Sequence, residues 1–393
     1  MVDVTMEQTA EFLVAIGGIL LLGLAADAVG KRTFLPRVTL LLVCGVVVGE
    51  SALDIIPTSV SNSFELIANL ALMMVGFLLG GKLTVYTLKK SGRQLIWISV
   101  CAALGSTVIV ALAMLAVGQA LSVAVLLGCI AAATAPAATV DVVLESGRDT
   151  GFSRLLLAIV AVDDAWALIL FSIGLAMVSL LNGMQDIPAS LLVAAREIFG
   201  ALLLGGIIGW PAAKLTGRIR PGQPMLTEAL GLVLICGGAA VWLDVSFLIA
   251  TMAMGAVITN IAIHHEYPFH EIENIEWPFM VIFFVLAGAS LKIGTLAGLG
   301  LIGFVYLLAR ASGKLLGTWI GARASHADED VRRWMGSALL PQAGVAIGLA
   351  LLAVNKFPEY RQTILPVVVA STVFFELIGP IFTRIALRST NQA

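Results

Sequence analysis

Two aspartates stand side by side, Asp163 and Asp164, inside "LLLAIVAVDDAWALILFSIGLAMV" (residues 155–178), a run long enough to cross a bilayer. An ionised carboxylate at membrane depth costs roughly 2.5–3.5 kcal/mol, so such groups persist where they pair or line a functional path. Far along the chain, "ARASGKLLGTWIGAR" carries Arg310 and Lys314 within another apolar run. Their i, i+4 spacing puts both cations on one helix face. The economical arrangement pairs Lys314 with one aspartate across a helix bundle. Adjacent residues point about 100° apart on a helix, so the second aspartate faces elsewhere. A purely structural ion pair would use one aspartate and one cation and leave the other aspartate without a role. Two neighbouring carboxylates titrate as a coupled unit, and a site that holds either protons or a small cation is what proton-coupled exchange requires. An aspartyl protease needs two carboxylates sharing a proton and a water at close range. Neighbours on one helix diverge too far for that.

The elements that must position these groups follow from composition. The 393 residues are 59% hydrophobic and 12% charged, with mean hydropathy +1.01, against about a quarter charged for a soluble domain. Apolar runs recur from end to end, and the alternating pattern of a closed barrel is absent. The chain therefore reads as an all-α polytopic membrane protein. Net charge is −2, which offers no basic face to nucleic acid. Cys44, Cys101, Cys129 and Cys236 are scattered through apolar runs and read as small core residues. The first eleven residues carry acids and no Lys or Arg, the wrong opening for a signal peptide.

Thirteen spans are expected, near 10–29, 37–56, 64–84, 94–117, 119–144, 151–181, 188–217, 225–243, 245–263, 277–297, 299–321, 334–355 and 362–387. With the N-terminus outside and the C-terminus in the cytoplasm, seventeen of the 23 lysines and arginines fall on the inner side. Lys292, Lys356 and Arg361 fall outside, and Arg196, Arg310 and Lys314 fall within spans. This is the bias that the positive-inside rule predicts.

Two spans carry interior prolines. Span five holds "CIAAATAPAATVDVV", with Pro136 between Thr134 and Thr139, and span twelve holds "GSALLPQAGVAIGLALL", with Pro341, Gln342 and Gly344. A proline removes a helical hydrogen bond, and in lipid the freed groups need another partner or a polar cavity. The two spans are seven apart, so they run in opposite directions through the bilayer. That is the pattern of inverted-topology repeats whose discontinuous helices cross at a midplane ion site. Opposed half-helices bring dipole ends there that charge must balance.

In family order and spacing, "LPRVTLLLVCGVVVG", "MMVGFLLGGKL", "TAPAAT", "VDDAW", "FFVLAGASL", "SGKLLG", "LLPQAGVAIGL" and "ELIGP" resemble the monovalent cation:proton antiporter superfamily over nearly the whole chain. The paired aspartates with a span-eleven lysine look like its electrogenic branch. The resemblance implies an elevator-type homodimer in the inner membrane that exchanges Na+, and also Li+, with two protons entering per Na+ leaving. It implies no cofactor; the bound species are membrane lipid and the transported Na+ and H+. Dimerisation panels would span 1–92 and 219–298, core ion-transport helices 93–187 and 299–393, and a linker helix 188–218.

Carried over by position, Asp164 would bind the cation or proton, and Asp163 would join it in holding Na+ while forming the salt bridge to Lys314. Thr134 and carbonyls of the unwound span would add oxygen ligands, which hard cations prefer. Pro136, Pro341, Thr139 and Gln342 would support the site. Ala135 replaces an acid found in some relatives. Arg310 is ambiguous, because an arginine on this helix is the hallmark of the electroneutral branch, so a K+-selective or electroneutral exchanger stands as the alternative. An ion-coupled symporter of an organic solute is a further one.

Other groups remain open from the residues alone. Asp141 either lines a cytoplasmic funnel or flanks a loop. Glu376 either pairs with Arg310 or supports packing. His264, His265 and His270, among Glu266, Glu271, Glu273 and Glu276, form either a solvated loop or a pH-sensing one. No HxxxH or HExxH spacing recommends them for zinc. Arg196–Glu197 reads as an interfacial or inter-subunit pair.

Overall fold

The computed structural model of the chain describes residues 6–33, 35–49, 52–61, 63–181, 187–216, 225–262, 266–290, 300–342 and 344–390. Among them there is no strand. The fifteen helices are α1 (Met6–Arg32), α2 (Arg37–Val48), α3 (Phe64–Lys82), α4 (Val85–Ala116), α5 (Leu121–Ile130), α6 (Pro136–Ser146), α7 (Gly151–Leu181) and α8 (Ile187–Thr216), then α9 (Met225–Trp242), α10 (Phe247–Ile261), α11 (Glu266–Ser290), α12 (Gly300–Ala324), α13 (Glu329–Ala338), α14 (Gly344–Lys356) and α15 (Arg361–Ser389). Short helical turns cover Thr58–Ser61 and Pro358–Tyr360. Seven helices (α1, α4, α7, α8, α11, α12 and α15) are long and apolar enough to cross a membrane. Shorter apolar helices are α2, α3, α5, α9, α10 and α14.

The two proline-bearing spans are broken, each in its own way. After α5 the chain turns at Ala131 and Ala132 and runs extended to Ala135, and Pro136 opens α6. A proline at the first helical position costs nothing, because its missing N–H would be unpaired there anyway. In the other span, α13 ends at Ala338, and Pro341 lies within the extended link before α14. Helices of ten or eleven residues are about 15–17 Å long, half a bilayer core. The backbone N–H of Ala135 donates to the carbonyl of Pro341 at 3.1 Å, so the two breaks meet.

Glycines set the spacing around them. α12 packs along α4, and a Cβ at Gly313 would stand 2.6 Å from the Ser106 Cα. One at Gly321 would stand 2.7 Å from the Ile98 Cα. Small residues are how membrane helices bring backbones together. The same seam carries Arg310 and Lys314 into the interior.

One element differs from expectation. α11 starts at Glu266, so His270, Glu271, Glu273 and Glu276 lie on its opening turns and not in a loop. Acids near a helix N-terminus are favoured by the peptide dipoles, and Pro268 sits in the first turn where it does no harm. His264 and His265 lie outside the described residues.

Candidate functional site

α7 runs unbroken past the meeting point of the breaks and carries Asp163 and Asp164 near its middle. The Trp166 indole N–H donates to Ser99 Oγ at 3.1 Å and fixes α7 against α4. Lys314 Nζ donates to Asp163 Oδ2 at 2.8 Å, with both side chains wholly buried. The other Asp163 oxygen has no hydrogen-bond partner, nor has either oxygen of Asp164, which is 4% exposed. Thr134 Oγ1, in the first break, and both amide atoms of Gln342, in the second, are buried without partners as well. Buried polar atoms are almost always bonded. The oxygens left free here, on the two breaks and on the helix passing them, are the ligand type that a small hard cation takes, whereas Gln342 Nε2 can only donate a hydrogen bond.

Arg310 lies one turn before Lys314 on the same buried face of α12. Its guanidinium is fully buried and donates through Nη1 to Leu340 O at 2.9 Å and through Nη2 to Ala133 O at 2.8 Å. The Phe375 ring lies 4.3 Å from its Cζ. The two carbonyls belong to the links that follow α5 and α13, at the negative ends of those half-helices. Arg310 therefore balances both helix ends at once. It makes no ion pair with Glu376: Nη1 and Nη2 are held by backbone carbonyls, and Nε is buried without a partner. Thr139 Oγ1 donates to Ala135 O at 3.1 Å and closes the first turn of α6.

Asp141 lies within α6, in an ion pair. It is buried and accepts from Arg37 Nε at 3.0 and 2.9 Å, with a further contact from Nη2. The Arg37 backbone N–H donates to Glu145 at 3.1 Å, and Arg384 pairs with Glu145 at 3.4 Å. Arg384 also donates to Leu35 O and Gly30 O. The Arg37 guanidinium lies 4.1 Å from the Trp277 ring, and the neighbouring Glu276 is buried with one oxygen unpartnered. Sequence spacing missed this network, because Arg37 and Asp141 are more than a hundred residues apart. The available signal was that Arg37, Asp141 and Glu145 all sit at inner span ends.

A cavity of about 740 Å³ opens beside the network between α3, α6, α7, α10 and α11. Its walls include Lys82, Arg154, Asn260, His270 and Glu273, and on α7 it reaches Leu157. Leu157 precedes Asp164 by two helical turns, about 10 Å. His270 is exposed and stands 3.8 Å from Glu273. Among the described residues no group of three His, Cys, Asp or Glu side chains could hold a metal. Arg196 donates to Leu243 O at 2.8 Å, tying α8 to the end of α9.

Comparison with known proteins agrees with this geometry. The family model described as "Sodium/hydrogen exchanger, transmembrane" matches residues 16–388. The chain is 24% identical to the Na(+)/H(+)-K(+) antiporter GerN of Bacillus cereus, over 92% of this chain and 94% of that one. It is 24% identical to a Na(+)/H(+) antiporter of Enterococcus hirae, over 93% and 98%. Its fold is similar to that of the sodium proton antiporter MjNhaP1 from Methanocaldococcus jannaschii, with TM-score 0.75 at 20% identity over 96% of this chain and 95% of that one.

Proposed function

The chain belongs to the sodium/hydrogen exchanger family, and from that premise we propose that it exchanges Na+, and also Li+, for protons at Asp164. It is a multi-pass membrane transporter of the cation/proton exchange class, not an enzyme. The observation that carries the finer reading is Asp164 itself: a buried carboxylate with both oxygens free, beside a neighbour that already has its lysine.

In this reading Asp164 takes a proton or a cation, one at a time, with Thr134 and the free Asp163 oxygen as further ligands. A cation arriving between the two aspartates weakens the hold of Asp163 on Lys314, so that a second proton is exchanged and charge moves, two H+ per Na+. Lys314 in the role of ion-pair partner, with Arg310 committed to backbone, supports the electrogenic form. No cofactor takes part. Thirteen spans place the N-terminus outside and the C-terminus in the cytoplasm of a bacterial-type inner membrane. Core segments 93–187 and 299–393 slide as an elevator against panels 1–92 and 219–298, with 188–218 as the link, in a homodimer. The cavity of about 740 Å³ is then the cytoplasmic approach, and the network around Arg37 and Asp141 joins panel to core on that side.

Potassium selectivity is the second reading, favoured by the Na+/H+–K+ naming of the Bacillus cereus relative. The experiment uses purified protein in proteoliposomes with an interior pH dye, wild type and Asp164→Asn, and pulses of Na+, Li+ or K+. A cation-evoked pH change that the variant loses supports exchange at Asp164 and names the ion, and valinomycin with K+ reports charge movement. Wild-type protein with no cation-dependent proton flux between about pH 6 and 9 would sink the reading.

A further inference from the structure

One buried acid takes no part in the mechanism above. Glu376 lies on α15, 5% exposed, and no cation pairs with it among the described residues. Its surroundings are set by a single face of the helix. Residues 372, 376, 379 and 383 follow one another at i, i+4, i+7 and i+11, so they form one stripe. The lower end of that stripe is fastened to the second broken span. Thr383 Oγ1 donates to Ala338 O at 3.0 Å, and a Cβ at Gly379 would stand 2.6 Å from the Pro341 Cα. Glu376 and Thr372 stand one and two turns further along the same stripe from the Gly379–Pro341 contact.

Thr372 Oγ1, 1% exposed, has no hydrogen-bond partner, and the wholly buried Gln342 amide lies beside the Tyr306 hydroxyl. Charged groups on the helices packed against α15 are committed elsewhere. Arg310 holds Ala133 and Leu340, Lys314 holds Asp163, Arg37 holds Asp141, and Arg384 holds Glu145. Tyr306 on α12 is neutral in ordinary conditions. α5 carries no charged residue, α14 carries Lys356 in its last turn, and the charges of α13 sit in its first half, away from the break.

A carboxyl among neutral groups and without a cation is protonated or near a positive dipole end. This one has access to both conditions, since α14 begins two residues past Gln342 with its N-terminal amides at the same break. It thus has a neutral and an ionised form to move between.

We propose that Glu376 is a second proton-binding carboxylate, set at the second break with Thr372 and Gln342, and that its proton crosses the membrane in each transport cycle. The proposal rests on the exchange reading and adds to it a second carrier, in the opposite half of the core. Glu376 takes up a proton from the side to which the core is open and gives it up on the other. It thereby adds a third proton per cation to the two exchanged at Asp164 and the Asp163–Lys314 pair.

The test is the coupling ratio. Wild type and E376Q are reconstituted into proteoliposomes, and the membrane potential at which net flux reverses is measured under fixed Na+ and pH gradients, with K+ in place of Na+ if wild type prefers it. E376Q is expected to move one proton fewer per cation. A reversal potential equal to wild type overturns the proposal while leaving exchange intact. Wild type without any cation-dependent flux removes the exchange reading and this proposal together, a separate outcome. If E376Q carries no flux, infrared difference spectra on adding Na+ to purified protein decide. A carboxylic C=O band present in wild type and missing in E376Q supports the proposal, and an unchanged band refutes it. Should E376Q fail to fold, E376D keeps the acid on a shorter stem, and its band must shift from that of wild type.

Discussion

The backbone amide of Ala135 and the carbonyl of Pro341 share a hydrogen bond of 3.1 Å, and it joins two extended links from opposite halves of the chain. Neither link could stand in lipid alone, because each exposes peptide groups that only protein or water can satisfy. Arg310 completes the joint by donating to Ala133 and Leu340 on either side of it. The proposed ion site would thus be a by-product of how two interrupted helices satisfy their backbone. Where they satisfy one another the structure is closed, and Thr134 Oγ1 is left without a partner.

Arg310→Gln is expected to lower stability by about 2–5 kcal/mol, since it orphans two buried carbonyls that now accept from a charged donor. Arg310→Lys restores the charge but offers no planar fork, so it recovers part of the loss. Thermal unfolding of detergent-solubilised protein reads the order wild type, then Lys, then Gln. A Gln variant as stable as wild type would show that the joint does not depend on the guanidinium.

Asp163 and Lys314 predict a double-mutant cycle. Asp163→Asn or Lys314→Gln alone strands a buried charge and is expected to cost roughly 3–5 kcal/mol. Both changes together leave a neutral pair that can hydrogen-bond, so the double variant is expected to be more stable than either single one. Asp164→Asn should differ from all three, with stability near wild type, because Asp164 holds no partner to lose. Comparison of unfolding midpoints across the four variants checks the ordering.

Much of the site was legible before the structure because membrane insertion penalises the residues that compose it. Asp163, Asp164 and Lys314 stand out in apolar runs, and two of them pair as the spacing suggested. The two prolines marked two breaks for the same reason, although Pro136 opens a helix and Pro341 lies within a link. What stayed hidden depends on contacts between distant segments. The fate of Arg310 was set by two carbonyls, which carry no sequence signal. Asp141 found Arg37 across more than a hundred residues, and Arg37 had looked like one more positive charge at an inner loop. The acids of residues 271–276 looked like loop because charge interrupts hydropathy, yet they lie inside a helix that begins at Glu266.

The Arg37–Asp141 pair predicts an asymmetry. Arg37 has a side chain 16% exposed and rests against Trp277, whereas Asp141 is 1% exposed. After Asp141→Asn the guanidinium can turn to water, so the loss should be modest, about 1–2 kcal/mol. After Arg37→Gln the carboxylate stays buried without a partner, and the loss should approach 3–5 kcal/mol. Unfolding midpoints at pH 8, where carboxylates are ordinarily ionised, provide the comparison. Equal losses would mean that Asp141 is not confined as its burial implies.

Gly313 predicts that packing and transport fail together. A methyl group there would meet backbone, 2.6 Å from the Ser106 Cα, so neither a rotamer change nor a flexible neighbour relieves it. Gly313→Ala must therefore push α12 from α4, and Lys314 is the next residue along α12. Overpacking of this kind costs about 1–3 kcal/mol, and the displaced ammonium loses its 2.8 Å contact with Asp163. Cation-dependent proton flux should fall by at least tenfold in protein that still inserts. Gly206→Ala, where a Cβ meets nothing within 4 Å on α8, is the matched control and should behave as wild type. If both variants transport alike, close approach of α4 and α12 does not position the lysine.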